Sequence, residues 1–347
     1  MTVQHTYQIL NKRMLLKSDN PELVHAFHMD YQWFETNHKK DYDIHICLTE
    51  MRLQINHKQV DLSDHPTPVH YAFQVIVSEI MSSLLEDFYL IHAGVVKKED
   101  TILIFSGPPG IGKSTLVKEC VNNGWTFFSD DCAPLHKRSG LIYPFPRSMW
   151  IVDSSDAQKT SSVRSKHAIP VHQFNQKLER NPEKPEIIIC LTGEHSGNHM
   201  IHLNLSLKSS ENPLIDGLRR INTIHIQKRH HHHAEYRMSY NASDDISKTI
   251  HHLCTKHKQD LWHIYRVNPS RSCFDQQSSI TKVSPHQAAA TIIPEMKLFD
   301  SFLNPTKKES SMTSLITISK HFEHAHCYHM TNGTLASEYR CIISTLS

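Results

Sequence analysis

The residues best suited to chemistry form one glycine-rich stretch in the first third of the chain. It reads Gly107-Pro108-Pro109-Gly110-Ile111-Gly112-Lys113-Ser114, with Thr115 next, and fits the pattern G-x-x-x-x-G-K-[ST]. In such a loop the backbone N–H groups and the N-terminus of the following helix bind phosphate oxygens. Lys113 would reach the β- and γ-phosphates, and the hydroxyl of Ser114 would ligate Mg²⁺. Residues Gly107–Ser114 therefore form a predicted P-loop, a site for ATP and Mg²⁺.

The elements expected on either side of this stretch are those that the pattern requires. The apolar run Thr101–Phe105 is typical of a buried strand. A helix is expected to begin at Lys113 and to end near Gly124. A chance match to the pattern is the alternative interpretation. A strand before the loop and a helix after it favour the phosphate site.

Two adjacent acids follow the predicted helix. The short apolar segment Trp125–Ser129 predicts a strand that ends at Asp130-Asp131. Because neighbouring side chains at a strand end point in different directions, one acid could bind Mg²⁺ while the other faces an incoming hydroxyl. A solvated turn is the alternative, and the position after a P-loop helix favours the site. His92, on the strand that precedes and neighbours Thr101–Phe105, would by itself be an ordinary strand histidine.

Arginines offer a further phosphate contact, because a guanidinium group matches phosphate geometry. Arg147 follows Pro144-Phe145-Pro146 in a predicted loop and is the favoured candidate. Arg219 and Arg220 end a predicted helix, where they would complement its dipole.

Histidine occurs 29 times, and two clusters could hold a metal ion. In the run His230–His233, consecutive imidazoles rarely converge on one ion, so a solvent loop is the favoured interpretation over a transition-metal site. The second cluster crosses a predicted helix-to-strand junction, so we do not expect its members to share the single face that a zinc site needs. It consists of His321, His324, His326, Cys327 and His329.

The composition is that of an ordinary globular protein of 347 residues. The formal net charge is only +2, which gives no reason to expect a nucleic-acid partner. The eight cysteines include no C-x-x-C pair, so reduced thiols are expected. The first twenty residues lack the apolar core of a signal peptide, and no apolar run is long enough to cross a bilayer. We therefore expect a cytoplasmic protein without a membrane partner, and a homo-oligomer stays open.

The remaining pattern predicts an α/β chain of two parts. Residues 1–87 form a strand-rich segment plus a helix, and residues 88–347 form the catalytic part with a C-terminal extension. Strands are predicted at Tyr7–Leu16, Asp43–Leu48, Met51–Ile55, Phe88–Val96, Pro185–Leu191, His199–Leu207 and His326–Met330. Helices are predicted at Val69–Asp87, 243–262, Pro285–Phe299, Met312–Phe322 and Leu335–Leu346, and loops at 153–184 and Arg266–Lys282.

Residues 88–150 resemble the catalytic domain of the HPr kinase/phosphorylase family. The family's order of motifs is His-x-Gly, then the P-loop, then Gly-aromatic-x-x-x-x-Asp-Asp. Here these are His92-Ala93-Gly94, the P-loop, and Gly124–Asp131. The loop Pro144-Phe145-Pro146-Arg147 looks like that of HPr kinase-like enzymes that tailor peptides such as lasso peptides, and Ser284–Ala289 also looks family-like.

The resemblance implies a fold and roles for individual residues. The fold would be a P-loop kinase core related to HPr kinase and phosphoenolpyruvate carboxykinase. Asp130 would be the general base on the acceptor hydroxyl, Asp131 and Ser114 would hold Mg²⁺, and His92 would line the phosphate site beside Lys113.

The chain departs from the family at one loop. The Glu-x-Arg-Gly-Leu-Gly loop, which takes part in the phosphorylase reaction, has no counterpart, and residues 147–151 read Arg-Ser-Met-Trp-Ile. This predicts a one-way kinase whose acceptor is not HPr. Met149 and Trp150 suit either core packing or an apolar acceptor.

These observations predict an ATP- and Mg²⁺-dependent kinase acting on a Ser or Thr hydroxyl of a peptide or protein, with peptide tailoring as the favoured case. Two alternatives stay open. One is a small-molecule kinase with the same core, and the other is a nucleotide-binding scaffold without transfer activity.

Overall fold

The computed structural model describes sixteen parts of the chain. They are residues 2–37, 41–63, 67–108, 111–152, 166–173, 178, 181–192, 198–206, 213–220, 224–229, 233–241, 253, 261–267, 277–303, 311–331 and 333–346.

A five-stranded sheet with the order β1-β2-β3-β4-β5 lies in the N-terminal part. Its strands are β1 (Val3–Ile9), β2 (Lys12–Ser18), β3 (Ile44–Thr49), β4 (Arg52–Ile55) and β5 (Lys58–Asp61). Neighbours are antiparallel except β2 and β3, which are parallel. A parallel pair needs a crossover connection, and helix α1 (Pro21–Tyr31) with a turn of 3-10 helix (Gln32–Phe34) supplies it.

Two sequence predictions for this part are wrong. The strand predicted at Tyr7–Leu16 is a hairpin, because the chain turns at Leu10, which has a φ of 52°. Helix α1 was not predicted, although its start carries local signals. The side chain of Asn20 accepts a hydrogen bond from the backbone N–H of Leu23 at 3.0 Å, and Pro21 opens the helix.

Three other predictions for this part are confirmed. The segments Asp43–Leu48 and Met51–Ile55 correspond to β3 and β4, and the predicted helix Val69–Asp87 corresponds to α2 (Pro68–Leu84). Helices α1 and α2 pack on the sheet around a core that contains Phe27, Tyr31 and Ile76. Cys132 and Phe145, from the segments after the P-loop, belong to the same core.

The chain from residue 88 onward contains fourteen described strands. They are β6 (Phe88–Ile91), β7 (Ala93–Lys98), β8 (Thr101–Ser106), β9 (Thr126–Ser129), β10 (Ala133–His136), β11 (Met149–Val152), β12 (Lys166–Ile169), β13 (Ile187–Thr192), β14 (Asn198–Ser206), β15 (Ile224–Arg229), β16 (His233–Asn241), β17 (Leu261–Val267), β18 (Ile280–Val283) and β19 (His326–Thr331). The helices are α3 (Lys113–Asn122), α4 (Pro213–Arg219), α5 (Pro285–Leu303), α6 (Ser311–His321) and α7 (Leu335–Ser344).

A six-stranded sheet with the order β18-β19-β13-β8-β7-β9 carries the P-loop. Strands β8, β13 and β19 are parallel to one another, and the other pairs are antiparallel. Residues of β8 alternate between the two faces, as a pleated strand requires. Ile102 and Ile104 pack with α5 and α6, whereas Leu103 and Phe105 pack with α3 and α7. The sheet is thus the middle layer of an α/β/α arrangement.

The prediction of a single strand at Phe88–Val96 is wrong, because the chain changes sheets at His92. Strand β6 pairs with β10 in a separate two-stranded sheet, while β7 joins the central sheet.

Most predictions beyond the P-loop are confirmed in type. Pro185–Leu191, His199–Leu207 and His326–Met330 correspond to β13, β14 and β19, and the three predicted C-terminal helices correspond to α5, α6 and α7. The predicted helix 243–262 lies almost wholly outside the described residues, and its last two residues begin β17. The loop predicted at Arg266–Lys282 is wrong at both ends. Strand β17 continues to Val267, and β18 begins at Ile280 and completes the sheet edge beside β19.

The segment predicted as a surface connection at 153–184 is described only in part. It contains β12, which pairs with β11, and a 3-10 turn at Val171–Gln173. Strands β14 to β17 form a further antiparallel sheet in the order β15-β16-β14-β17. None of the described helices is both long and apolar enough to cross a bilayer.

Candidate functional site

The P-loop lies between the central strand β8 and helix α3. Strand β8 ends at Ser106, and α3 begins at Lys113. Gly112 precedes the helix with a φ of 107°, a conformation that favours glycine. Pro109 and Gly110 lie outside the described residues. The described part of the loop has the strand-to-helix geometry that the sequence pattern requires.

The side chain of Lys113 folds back over the loop. Its Nζ donates hydrogen bonds to the carbonyl oxygens of Gly107 at 2.7 Å and Pro108 at 3.1 Å. Lys113 is only 5 % exposed, so its ammonium group is shielded from solvent within the loop. A buried cation at this point suits the binding of phosphate oxygens. Ile111 is buried beneath the loop, and Thr115 is exposed on the first turn of α3.

The two adjacent acids point in different directions, as expected. Asp130 is 4 % exposed, and its carboxylate accepts a hydrogen bond from the hydroxyl of Ser114. Asp131 has a φ of 68° and a side chain that is 67 % exposed. It accepts a hydrogen bond from His92 Nε2 at 2.9 Å. The structure thus brings together Asp130 with Ser114 and Asp131 with His92.

The environment of Asp130 disfavours its charged form. Burial raises the pKa of Asp130 to about 6, and the negative charge of Asp131 adds to the rise. The hydrogen bond from Ser114 and the nearby charges of Lys113 and His92 offset part of it. One oxygen, Oδ1, is buried without a hydrogen-bond partner among the described residues. An orphaned buried oxygen beside a P-loop serine is a suitable acceptor for a proton or a cation.

Asp131 is held in its charged form. Desolvation raises the pKa of Asp131, but the hydrogen bond and charge of His92 and the charges of Arg147 and Lys113 together bring it below the usual range. The two neighbouring carboxyls therefore titrate far apart, which is a pattern found at catalytic acid pairs.

In the His-x-Gly segment, His92 contacts Asp131 and Gly94 allows close packing against α3. His92 stands at the junction of β6 and β7, where the chain changes sheets, and its imidazole reaches Asp131. Gly94 lies against helix α3, and a Cβ there would overlap Val117 Cγ2 and lie 3.6 Å from Asp130 Oδ1. The glycine therefore lets α3 and Asp130 approach β7 closely.

Arg147 connects the site to the N-terminal part. Its Nη2 donates a hydrogen bond to Asp30 Oδ2 at 2.8 Å, and its guanidinium carbon lies 4.9 Å from the ring centroid of Tyr31. The next residue, Ser148, donates a hydrogen bond to the carbonyl oxygen of Met29 at 2.9 Å. The Arg147 side chain is 15 % exposed and that of Asp30 is 6 % exposed. Sequence reasoning missed Asp30, because it lies on the unpredicted helix α1.

The other candidate residues have different partners or lie outside the described residues. Arg219 pairs with Asp216 at 3.5 Å, and both side chains are more than half exposed. In the run His230–His233, the first three residues lie outside the described part, and the last begins β16.

Members of the second histidine cluster have separate partners. His321 Nε2 lies 2.8 Å from the carbonyl oxygen of Lys137, and His329 Nε2 lies 3.1 Å from Thr291 Oγ1. His321 ends α6 and His329 lies on β19, so the cluster crosses a helix-to-strand junction as predicted.

Comparison with known proteins gives little further guidance. No family model matches the chain, and no curated protein matches it. Among solved structures, the chain is similar to the Hpr(Ser) kinase/phosphatase from Coxiella burnetii, with 17 % identity and a TM-score of 0.24. The match covers 36 % of this chain and 66 % of that protein. A match with so low a TM-score does not support any function for this chain. The function proposed below is therefore argued from the geometry of the site.

Proposed function

We propose that this chain is an ATP- and Mg²⁺-dependent kinase that transfers the γ-phosphoryl group to a Ser or Thr hydroxyl of a peptide or protein. The observation that carries the proposal is the meeting of Lys113 and Ser114, at the start of α3, with the Asp130-Asp131 pair that follows β9. Positively charged and acidic groups at a strand-to-helix loop are the parts that phosphoryl transfer needs.

The described residues fit a nucleotide and its metal ion. The buried cation of Lys113 and the N-terminus of α3 provide for phosphate oxygens. Ser114 and the acidic pair provide the oxygen ligands that Mg²⁺ prefers. When bound, Mg²⁺ would neutralise charge on the β- and γ-phosphates.

In the proposed reaction, Asp130 accepts the proton of the acceptor hydroxyl. The hydroxyl oxygen forms a bond to the γ-phosphorus while the bond to the β,γ-bridging oxygen breaks, so ADP leaves. A pKa of about 6 keeps Asp130 mostly ionised at neutral pH and able to take a proton. Asp131 stays ionised, and His92 fixes its orientation.

Two observations bear on the division of roles between the acids. The raised pKa of Asp130 supports its role as the base, with Asp131 and Ser114 as the metal ligands. The hydrogen bond between Ser114 and Asp130 supports the reverse assignment, in which Asp130 binds Mg²⁺. We retain the first assignment because a proton acceptor must titrate near the working pH.

A large exposed side chain supports a peptide acceptor. Met149 is fully buried, but Trp150, beside it on β11, is 50 % exposed. Trp150 is therefore not a core residue, and its large apolar side chain is available to a partner. An exposed tryptophan close in sequence to Arg147 suits contact with an apolar peptide residue. Peptides that are tailored into natural products are the acceptor class that we favour.

The free thiols agree with a reducing compartment, and we propose the cytoplasm. All six cysteines that the structure reports are unpaired. They are Cys47, Cys120, Cys132, Cys190, Cys327 and Cys341.

The test is an acceptor survey. The purified chain is incubated with ATP, Mg²⁺ and either a Ser/Thr peptide library or a panel of small alcohols, and products are identified by mass spectrometry. Phosphopeptides support the proposal. Phosphorylation of small alcohols alone overturns the acceptor class, and nucleotide binding without any turnover overturns kinase activity in favour of a scaffold. In a reverse arm with phosphopeptide and inorganic phosphate, we expect no pyrophosphate.

A further inference from the structure

We propose that His5, His28 and Glu35 form a binding site for one divalent transition-metal ion, with Zn²⁺ the best fit. The three residues come from strand β1, helix α1 and the residue after the 3-10 turn. The site lies in the N-terminal part and is independent of the proposed kinase chemistry.

The ligand atoms are close enough to share one ion. The His5 and His28 ring nitrogens and a Glu35 carboxylate oxygen all lie within 4.8 Å of one another. His5 Nδ1 lies 2.6 Å from Glu35 Oε1, and His28 Nδ1 lies 3.7 Å from Glu35 Oε2. With metal–ligand bonds of about 2.0–2.1 Å, ligands on a tetrahedral ion lie roughly 3.4 Å apart. The observed distances lie on either side of that value, so only small side-chain movements are needed.

Backbone contacts hold Glu35 next to the strand that carries His5. An isolated β-bridge joins Tyr7 to Glu35, and the backbone N–H of Thr36 donates to the carbonyl oxygen of Thr6 at 2.9 Å. The segment after the 3-10 turn is therefore held against β1, the edge strand of the sheet. His5 and Tyr7 lie on the same face of β1, because side chains alternate along a strand.

Two buried polar atoms at the cluster make no hydrogen bond to the described residues. His28 Nδ1 is buried and makes no hydrogen bond to the described residues, although it faces Glu35. The hydroxyl of Tyr7, which is fully buried, likewise makes none within the described part of the chain. Buried polar atoms normally have a partner, and a cation would supply one to His28.

The chemistry of the ligands selects the class of ion. Two imidazole nitrogens and one carboxylate oxygen form a ligand set that suits Zn²⁺, with a fourth position open to water. Imidazole also suits Cu²⁺ and Ni²⁺, whereas Mg²⁺ prefers oxygen ligands throughout. The side chains of His5, His28 and Glu35 are 24 %, 38 % and 37 % exposed, so an ion can reach them. The site would therefore discriminate against the Mg²⁺ proposed for the P-loop.

The test uses the full chain with His230–His233 replaced by serine, which removes the most obvious competing ligands. In this background, His28→Gln and Glu35→Gln remove one ligand each. His25→Gln is the matched control, because His25 is exposed on the same helix and outside the cluster. Each protein is stripped with EDTA, and its Zn²⁺ affinity is measured at pH 7.5 against a competing chelator, with and without excess Mg²⁺.

The background protein should bind one Zn²⁺ that Mg²⁺ does not displace. His28→Gln and Glu35→Gln should weaken that binding at least tenfold, whereas His25→Gln should leave it unchanged. Equal Zn²⁺ binding by all four proteins overturns the site. Two further measurements use the background protein alone, so they do not depend on whether the His28 and Glu35 variants fold. Addition of Zn²⁺ should raise its melting temperature, and Co²⁺ should give visible absorption from a nitrogen- and oxygen-ligated ion. The absence of both also overturns the site.

Discussion

The P-loop region and the N-terminal part place their functional residues in different ways. Around the P-loop, Gly107–Ser114 is one continuous segment, and the Asp130-Asp131 pair follows one helix and one strand later. At the N-terminal part, by contrast, Asp30 is met by Arg147 from the other part of the chain, across a separation of 117 residues. His5 meets Glu35 across 30 residues. A site built from one segment can be identified as a motif, whereas a site built across the fold becomes visible only in the structure.

This comparison predicts that substitutions in the two regions will have different effects. Substitutions around the P-loop should impair transfer more than folding. Substitutions at the contact between the parts should impair folding first.

The first prediction concerns Lys113. Lys113→Ala should abolish measurable transfer and weaken ATP binding, because losing one positive group from a phosphate clamp costs several kcal/mol in the transition state, or roughly a thousandfold in rate. Lys118→Ala, on the same helix α3, is the matched control. Steady-state kinetics and ATP titration measure the effect. Near-normal turnover by Lys113→Ala would remove the P-loop from the proposed mechanism.

The second prediction separates the two acids. Asp130→Asn should leave ATP binding intact and slow transfer by about 10²–10⁴-fold, because an amide cannot accept the hydroxyl proton. Asp131→Asn should instead raise the Mg²⁺ concentration needed for half-maximal rate. Asp100→Asn, in the exposed turn between β7 and β8, is the control. If Asp130→Asn alone shifts the Mg²⁺ requirement, the roles are reversed, as the contact with Ser114 would allow.

The third prediction tests the connection between the parts. Asp30→Asn should destabilise the protein by about 3–5 kcal/mol, because it leaves the buried Arg147 without its charged partner. Asp216→Asn breaks the exposed pair with Arg219 and should cost only about 0.2–1 kcal/mol. Denaturant unfolding measures both. Equal costs would show that the buried contact does not hold the two parts together.

The fourth prediction concerns pH. The pKa of Asp130 is about 6 in the folded chain and lower in the unfolded chain, so the folded state binds the extra proton and stability falls as pH rises through 6. Asp130→Asn removes the buried charge and should therefore raise stability at pH 8 by an amount on the order of 1–3 kcal/mol. At pH 4 the gain should be small. Thermal melts of both proteins at pH 8 and pH 4 measure this gain in stability. An equal gain at the two pH values would contradict a raised pKa of Asp130.

The fifth prediction concerns the exposed tryptophan. Trp150→Ala should raise the KM for a peptide acceptor by about tenfold while leaving the KM for ATP unchanged, because it removes an apolar contact with the acceptor only. Met312→Ala, which truncates another exposed apolar side chain, is the control. A change in the KM for ATP alone would place Trp150 at the nucleotide instead.

The elements β8, α3 and α2 were predictable because their signals are local. An apolar run predicted β8, a glycine and a lysine marked the start of α3, and apolar periodicity predicted α2. Helix α1 was missed even though Asn20 and Pro21 mark its start, since the surrounding alternation favoured strands. The break at His92 was missed because β6 and β7 are both apolar and only their partners differ.

The sequence by itself determined the P-loop, the acidic pair that follows it and the α/β class, because strand, loop and helix signals depend on neighbouring residues. Only the tertiary structure decided which groups meet. It brings Ser114 to Asp130, His92 to Asp131 and Arg147 to Asp30. It also decided the charge states, because the pKa of Asp130 rises through burial, and burial is set by segments that are distant in the chain.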